Sequence, residues 1–269
     1  MKIKKKRGLT LLTTTFNSQE TVEKTLKSVE NLVDEIVVVD NGSTDKTIEI
    51  VKKYKGKIIG YRGKNLGLQY QKGLKKVKTK WVLILDSDEY LSDELYKELK
   101  TLFSNKKKLK KYDGYFIPFQ NHFLGKPVNF GGEDYKILRL FKKNKVIITA
   151  EKTHQKYFLK SKKVGFLTGK IIHYSYRSLW QTYKKFTYYG LEEAKKKFKE
   201  NEKITLKKLF FYPVHMFYAR FIKDKGYKDG LFRIPLDLGF AYMEFLTYFI
   251  LLCQSVFDRS GRKRVARKG

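Results

Sequence analysis

Twice in the first hundred residues a run of aliphatic side chains breaks off at aspartate: Glu35-Ile36-Val37-Val38-Val39 meets Asp40, and Trp81-Val82-Leu83-Ile84-Leu85 meets Asp86-Ser87-Asp88. Such runs predict buried strands, and the stretches between them carry apolar residues at helical spacing. Val22, Leu26, Val29 and Val33 follow a strand at 9–14; Ile48, Val51 and Tyr54 follow the second; Tyr70, Leu74 and Val77 follow a third at 57–61; Leu95, Leu99 and Phe103 follow the fourth. Asn17 with Glu20 predicts a capping box for the first helix, and Ser92 an N-cap for the last. Strands alternating with helices imply right-handed crossovers and a mainly parallel sheet, whose ligands lie beyond the carboxyl ends of the strands. Asp40, Asp86 and Asp88 all fall there. Capping of the turns after their strands would also account for Asp40 and Asp86. Asp86 and Asp88, two residues apart, leave a strand on one side and suit a divalent cation whose other coordination positions take phosphate oxygens.

Beyond this half the texture changes. A lysine-rich break at 104–111 predicts a solvated loop, and aromatic strands follow at 115–119, 135–141, 146–149 and 170–174, interrupted by Gly125-Lys126-Pro127 and Gly131-Gly132. Residues 178–200 read as a helix carrying Trp180, Tyr183, Leu191, Ala194 and Phe198. The stretch 238–257 approaches the length of a membrane span, but Glu244 lies inside it and Asp237 borders it, and a carboxylate in lipid is costly. An interfacial helix fits better, with Phe232-Arg233, Tyr242, Tyr248 and the basic tail 259–268 set against anionic headgroups; a core helix or dimer contact is the alternative. These readings divide the chain into an α/β domain at 1–177 and a basic, aromatic, helical extension at 178–269 that lies near a membrane.

Charge narrows the partners. Lysine and arginine number 59 against 27 acids, a formal +32, which predicts attraction to a polyanion: nucleic acid, an acidic membrane surface or a phosphorylated substrate. Cys253 is the only cysteine, so neither an internal disulfide framework nor a cysteine metal site is available. The basic start of the chain leads into an apolar run too short for a signal-peptide core, which places the active part inside the cell, peripheral on the inner face of the membrane.

Taken in order, Thr14-Thr15-Phe16-Asn17, the segment from Glu35 to Asp45 (EIVVVDNGSTD), the segment from Trp81 to Glu89 (WVLILDSDE), Leu138-Arg139-Leu140-Phe141, Ile172-His173-Tyr174-Ser175-Tyr176-Arg177-Ser178 and Lys225-Gly226-Tyr227-Lys228-Asp229-Gly230 resemble the family 2 glycosyltransferases. Within that family the likeness is to the branch typified by lipopolysaccharide-core β-1,4-glucosyltransferases. It implies a GT-A fold, Rossmann-like, with a mixed, mainly parallel sheet flanked by helices and a C-terminal helical extension. It further implies an inverting transfer of a sugar from a nucleotide-diphosphate donor, a UDP-hexose, to a glycan or glycolipid acceptor such as a lipopolysaccharide core or a cell-surface polysaccharide precursor.

Carried onto this chain, the resemblance makes Thr14, Thr15, Phe16, Asp40, Asn65, Gly67, Gln69 and Asp86 the donor-nucleotide site, and Asp88 with His173 the ligands of Mg2+ or Mn2+. Histidine is a common metal ligand, although a buried structural histidine in an aromatic strand is the plain alternative; His122, His154 and His215 make weaker cases. Tyr70 stands where this branch commonly has arginine. Inversion needs a carboxylate to take the acceptor's proton, yet Gln155 replaces the glutamate of the family's His-Glu pair beside His154. Asp134, its neighbour Glu133 and then Glu151 are the candidates, a turn role after the paired glycines being the alternative for Asp134. Two rivals stand beside this reading. One is a basic nucleic-acid-binding protein, against which the bases are spread along the whole chain without a recognition motif. The other is a family member that has lost catalysis and sits at the membrane, which Gln155 keeps open.

Overall fold

A computed structural model describes residues 7–150 and 157–266. Glu151, His154 and Gln155 therefore lie outside the described residues, as do both chain ends. The chain forms two compact units, residues 1–120 with 135–173, and residues 121–134 with 174–269.

The first unit opens with β1 (Leu9–Thr15), α1 (Val22–Ser28), β2 (Glu35–Asp40), α2 (Thr47–Lys53), β3 (Lys57–Gly60), α3 (Leu66–Lys76) and β4 (Trp81–Ile84). The order β3-β2-β1-β4 is parallel throughout, with Thr15 beside Asp40 and Leu12 beside Ile84. Every residue of β1 and β4 is buried, as a sheet covered on both faces requires. Gly73 lets α3 lie close: a Cβ there would come within 2.5 Å of Leu12 and 2.6 Å of Val39. After β4 the chain makes β5 (Glu89–Leu91), α4 (Asp93–Ser104) and α5 (Lys106–Lys111), then β6 (Gly114–Phe123), which leads into the second unit. There it forms a hairpin with β7 (Lys126–Val128) around Leu124-Gly125, both at positive φ. Back in the first unit, β8 (Lys136–Lys142) lies antiparallel to β4 and β6. A small pair, β9 (Val146–Ile148) with β10 (Tyr157–Leu159), and β11 (Val164–Phe166), parallel to β6, follow. Finally β12 (Ile171–Tyr176) pairs antiparallel with β5 before it too passes into the second unit.

Two local expectations fail for identifiable reasons. Asn17 does not cap α1, because it turns the chain at φ 47° and its side chain accepts from Thr44 N at 2.9 Å, so the helix begins at Val22 instead. The lysine-rich stretch after Phe103 is not a loop throughout: Asn105 accepts from Lys108 N at 3.0 Å and starts α5, a turn of lysines with no buried residue. Ser92 does cap α4, accepting from Leu95 N at 3.2 Å.

The second unit is built on α6 (Leu179–Lys199), α7 (Tyr212–Tyr218) and α8 (Ile234–Ala266). Phe186 of α6 packs on Phe240 of α8 with ring centroids 4.6 Å apart, and Gly239 leaves room for it. A buried ionic network holds the start of α8. Arg233 donates to Asp229 at 2.7 Å, to Asp237 at 2.9 Å and to Gly131 O at 3.0 Å, while Arg220 donates to Asp237 at 3.2 Å and to Glu133. Leu231–Phe257 is long and apolar enough to cross a membrane by length and composition.

Candidate active site

The site in the first unit is made by the carboxyl ends of three parallel strands. At the end of β1, Thr15 Oγ1 donates to Asp40 Oδ2 at 2.7 Å. The other three donors to Asp40 come from the loop it starts: Gly42 N at 2.9 Å, Ser43 N at 2.8 Å and Ser43 Oγ at 2.6 Å. Its carboxylate is thus a turn cap that fixes the Gly42-Ser43 loop, as an acid following a strand often is. Thr14 is buried beside it, and Phe16 is 60% exposed. A cavity of about 300 Å3 opens here between Asp40, Gly42, Ile58, Gly60, Tyr61 and Arg62. A larger hollow of about 600 Å3 lies at the amino ends of β2 and β3, lined by Asp34, Glu35 and Lys57 among others, and is remote from the acids. Ligands of parallel sheets bind at the carboxyl ends, so the smaller cavity is the relevant one.

The entrance of α3 is close-packed. Asn65 caps the helix, accepting from Leu68 N at 2.9 Å, and donates to Ala150 O at 2.8 Å; Gly67 is buried; Gln69 donates to Val39 O at 2.7 Å. The amide donors of Asn65 and Gln69 go to the backbone, and their visible work is to tie α3 to its surroundings. One turn further on, Tyr70 donates its hydroxyl to Asp86 Oδ1.

Beyond β4 the two acids part company. Asp86 is gripped by Tyr70 and by Arg139 of β8, whose Nη2 lies 3.1 Å from Asp86 Oδ2 and 2.7 Å from Glu89 Oε1. Burial alone would raise the Asp86 pKa, but the Arg139 guanidinium and the Tyr70 hydroxyl outweigh it and hold the group below the usual range. Glu89 goes the other way: burial pushes its carboxyl well up, Asp86 and Asp88 add to the push, and the shared Arg139 only partly opposes it. Tyr70, raised by burial and by Asp86, stays a neutral donor. Arg139 remains charged, because Glu89 and Asp86 overcome the burial that would lower it. Its buried Nε and Nη1 meet no hydrogen-bond acceptor among the described residues; the guanidinium instead lies 5.2 Å from the Phe119 ring centre and 5.9 Å from that of Tyr157.

Asp88 points elsewhere. The turn between the acids is closed by Glu89 N to Asp86 O at 3.0 Å and Asp86 N to Glu89 Oε2 at 2.9 Å, and it is tied to α1 where Thr25 donates to Ser87 O at 3.0 Å. Because β5 starts at Glu89 and pairs with β12, His173 sits in register with Glu89. Its Nε2 lies 3.4 Å from Asp88 Oδ2. A carboxylate and an imidazole, both partly exposed, form a donor set that suits Mg2+ or Mn2+ with oxygens of a diphosphate completing the shell. Asp86 is held instead by a tyrosine and an arginine.

The candidate acids for proton transfer lie in the second unit. Glu133 is buried, and its two oxygens accept from Asn121 at 2.6 Å and from Arg220. Asp134 is exposed. Sequence reasoning did not single out Glu89 or Arg139 as site residues; each stood inside a quoted motif, but nothing in the linear chain joins them.

A mixed, mainly parallel, curled sheet between helices, with a C-terminal helix, is the GT-A fold. The profile of "Glycosyl transferase family 2" matches residues 10–151, and the chain belongs to that family. It is similar to the "Uncharacterized glycosyltransferase RP128" of Rickettsia prowazekii, 29% identical over 248 residues that span 86% of this chain and 82% of that protein. Over 96 residues, 32% of this chain and 29% of the other, it is 32% identical to the poly(ribitol-phosphate) β-N-acetylglucosaminyltransferase TarP of Staphylococcus aureus. Among solved structures, S. aureus TarS 1–349 in complex with UDP-GlcNAc resembles it across 90% of this chain and 89% of that one, with 16% identity and a TM-score of 0.45. The chain is accordingly a glycosyltransferase; the lipopolysaccharide-core branch gains no support from these likenesses.

Proposed function

We propose that the protein transfers a hexose, with inversion, from a UDP-sugar to a hydroxyl of a glycan or glycolipid. The observation that carries this reading is the approach of His173 to Asp88, 3.4 Å apart, where the parallel strands end. Asp88 and His173 would hold Mg2+ or Mn2+, which when bound supplies positive charge against the negative charge gathering on the departing diphosphate. The remaining steps belong to the chain. Thr14, Thr15 and Asp40 hold the loop over which the nucleoside lies, and the exposed Phe16 ring offers a face to the base. The Asp86–Arg139–Glu89 group ties the turn carrying Asp88 to β8. Asn65, Gly67 and Gln69 set the start of α3 beside the nucleotide. Asp134 takes the acceptor's proton as its oxygen attacks the anomeric carbon through an oxocarbenium-like state; Glu133, whose oxygens are both engaged by Asn121 and Arg220, positions the segment.

The acceptor carries phosphate and sits at a membrane. The charge of +32 favours such a substrate, TarP is by name a transferase to poly(ribitol phosphate), and Leu231–Phe257 supplies an apolar helix for a lipid interface. The test is a screen of UDP-, GDP- and dTDP-sugars, with Mg2+ or Mn2+, for nucleotide release. UDP release that rises on adding a phosphorylated glycan supports the reading; release from none of the donors under either cation contradicts it.

A further inference from the structure

The helix that carries α7 is longer than α7 itself, for it is continuous over 206–223, with π-helical turns at Lys207–Phe211 and Ala219–Lys223 on either side. Along it Leu206, Phe210, Val214, Tyr218 and Ile222 recur at every fourth position, and all are exposed, from 75% at Leu206 to 44% at Ile222. In a plain α-helix a fourth-residue series drifts round the cylinder by ~40° at each step, since a turn takes about 3.6 residues. The wider π turns reverse part of that drift, so the five side chains keep one face over nearly the whole helix. π turns are rare and cluster at functional places, and here two of them serve the same stripe.

The opposite face is anchored. Leu209 packs with Tyr248 and Leu251, and Arg220 lies with its guanidinium carbon 3.5 Å from the centre of the Phe240 ring while it pairs with Asp237 and Glu133. The exposed stripe is therefore not a helix waiting to turn inward. Around it base far exceeds acid: residues 203–228 hold Lys203, Lys207, Lys208, Arg220, Lys223, Lys225 and Lys228 against the single acid Asp224. Lys208 and Arg220 are bound in ion pairs within the unit, whereas Lys203 and Lys207 stand exposed at one end of the stripe and Lys223, Lys225 and Lys228 at the other. An apolar row bracketed by lysines matches a surface with a negative skin over an apolar interior. A second copy of the same face would bring like charges together.

We propose that this face docks on an anionic bilayer, the helix lying flat with Phe210 and Val214 in the headgroup boundary and the flanking lysines on acidic headgroups. This extends the reading of a membrane-borne acceptor, but stands on residues that take no part in the donor site. The test floats the full chain with vesicles of phosphatidylcholine alone and of phosphatidylcholine with phosphatidylglycerol, beside the double variant Phe210→Ser, Val214→Ser and the variant Lys223→Glu, Lys225→Glu. Circular dichroism and sedimentation velocity confirm that each is folded and report its oligomeric state. The parent binds the anionic vesicles, less so in high salt, and each variant binds them about tenfold more weakly or worse, with UDP-sugar turnover in solution unchanged. Equal flotation of parent and variants, no flotation of the parent, or a parent dimer that the serine variant dissociates would each overturn the proposal. Donor turnover is read in the same samples without vesicles, so loss of the proposed activity and loss of docking register separately.

Discussion

A single buried guanidinium sets two neighbouring acids apart. Arg139 spans Asp86 and Glu89 through one nitrogen and lies between the Phe119 and Tyr157 rings, so Asp86 is neutralised and fixed while Asp88 is left toward His173. Replacing Arg139 by methionine leaves the buried Glu89, and the half-buried Asp86 beside it, without their counter-charge, and the expected cost is about 3–5 kcal/mol of stability by urea unfolding. Arg139→Lys should recover little, because an ammonium cannot reproduce the planar fork that reaches Asp86 and Glu89 near the Phe119 and Tyr157 rings. Of the residues involved, the sequence displayed the two aspartates plainly, since a carboxylate at the end of an apolar run is a local signal. Arg139 is 53 residues from Asp86, and Tyr70 reaches the same carboxylate from another helix; neither contact has a local signature. The pairing of His173 with Asp88 was foreseen only through family likeness, because it depends on the register of β5 and β12.

At the scale of elements, Glu202 is the knot where the C-terminal helices meet. It accepts from Lys197 at 2.9 Å on the α6 side, from Lys208 at 2.8 Å, and from the Tyr248 hydroxyl of α8 at 3.3 Å. Burial would raise its pKa, but the bonds from Lys208 and Lys197 bring it down to about 2. A depressed carboxylate pKa means stability that is present above the unfolded-state value and is lost as pH falls through the folded one. The stability gap between the parent and Glu202→Gln should therefore be level from about pH 5 to 8 and close between about 4.5 and 2; a gap that widens on acidification would contradict the assignment. The strands and helices of the first hundred residues were legible from their apolar period, with Ser92 marking the start of α4, although Asn17 does not cap α1. The short strands β5, β7, β10 and β11 were not: three residues each is too little to show a period, and their place is set by the partner strand. Helix 206–223 was missed as an element because its apolar residues recur every four positions, a spacing that only the π turns reconcile with one face.

Across the whole molecule, the excess of base over acid and the aromatic surface of the second unit are the features on which the proposed anionic, partly apolar partner rests, and the carboxyl edge of the parallel sheet in the first unit is where the proposed donor would lie. The split of the chain into units was less legible, since 121–134 packs with the C-terminal helices although it is contiguous with the sheet strands. The proposed function requires that a cation held by Asp88 and His173 fix the diphosphate of the donor. Titration calorimetry of UDP into the parent, Asp88→Ala and His173→Ala, each with and without Mn2+, tests it most directly. The account predicts binding by the parent that requires the cation and falls about a hundredfold or more in Asp88→Ala, with a smaller loss in His173→Ala. UDP binding of equal strength without Mn2+, or unchanged in Asp88→Ala, would contradict it.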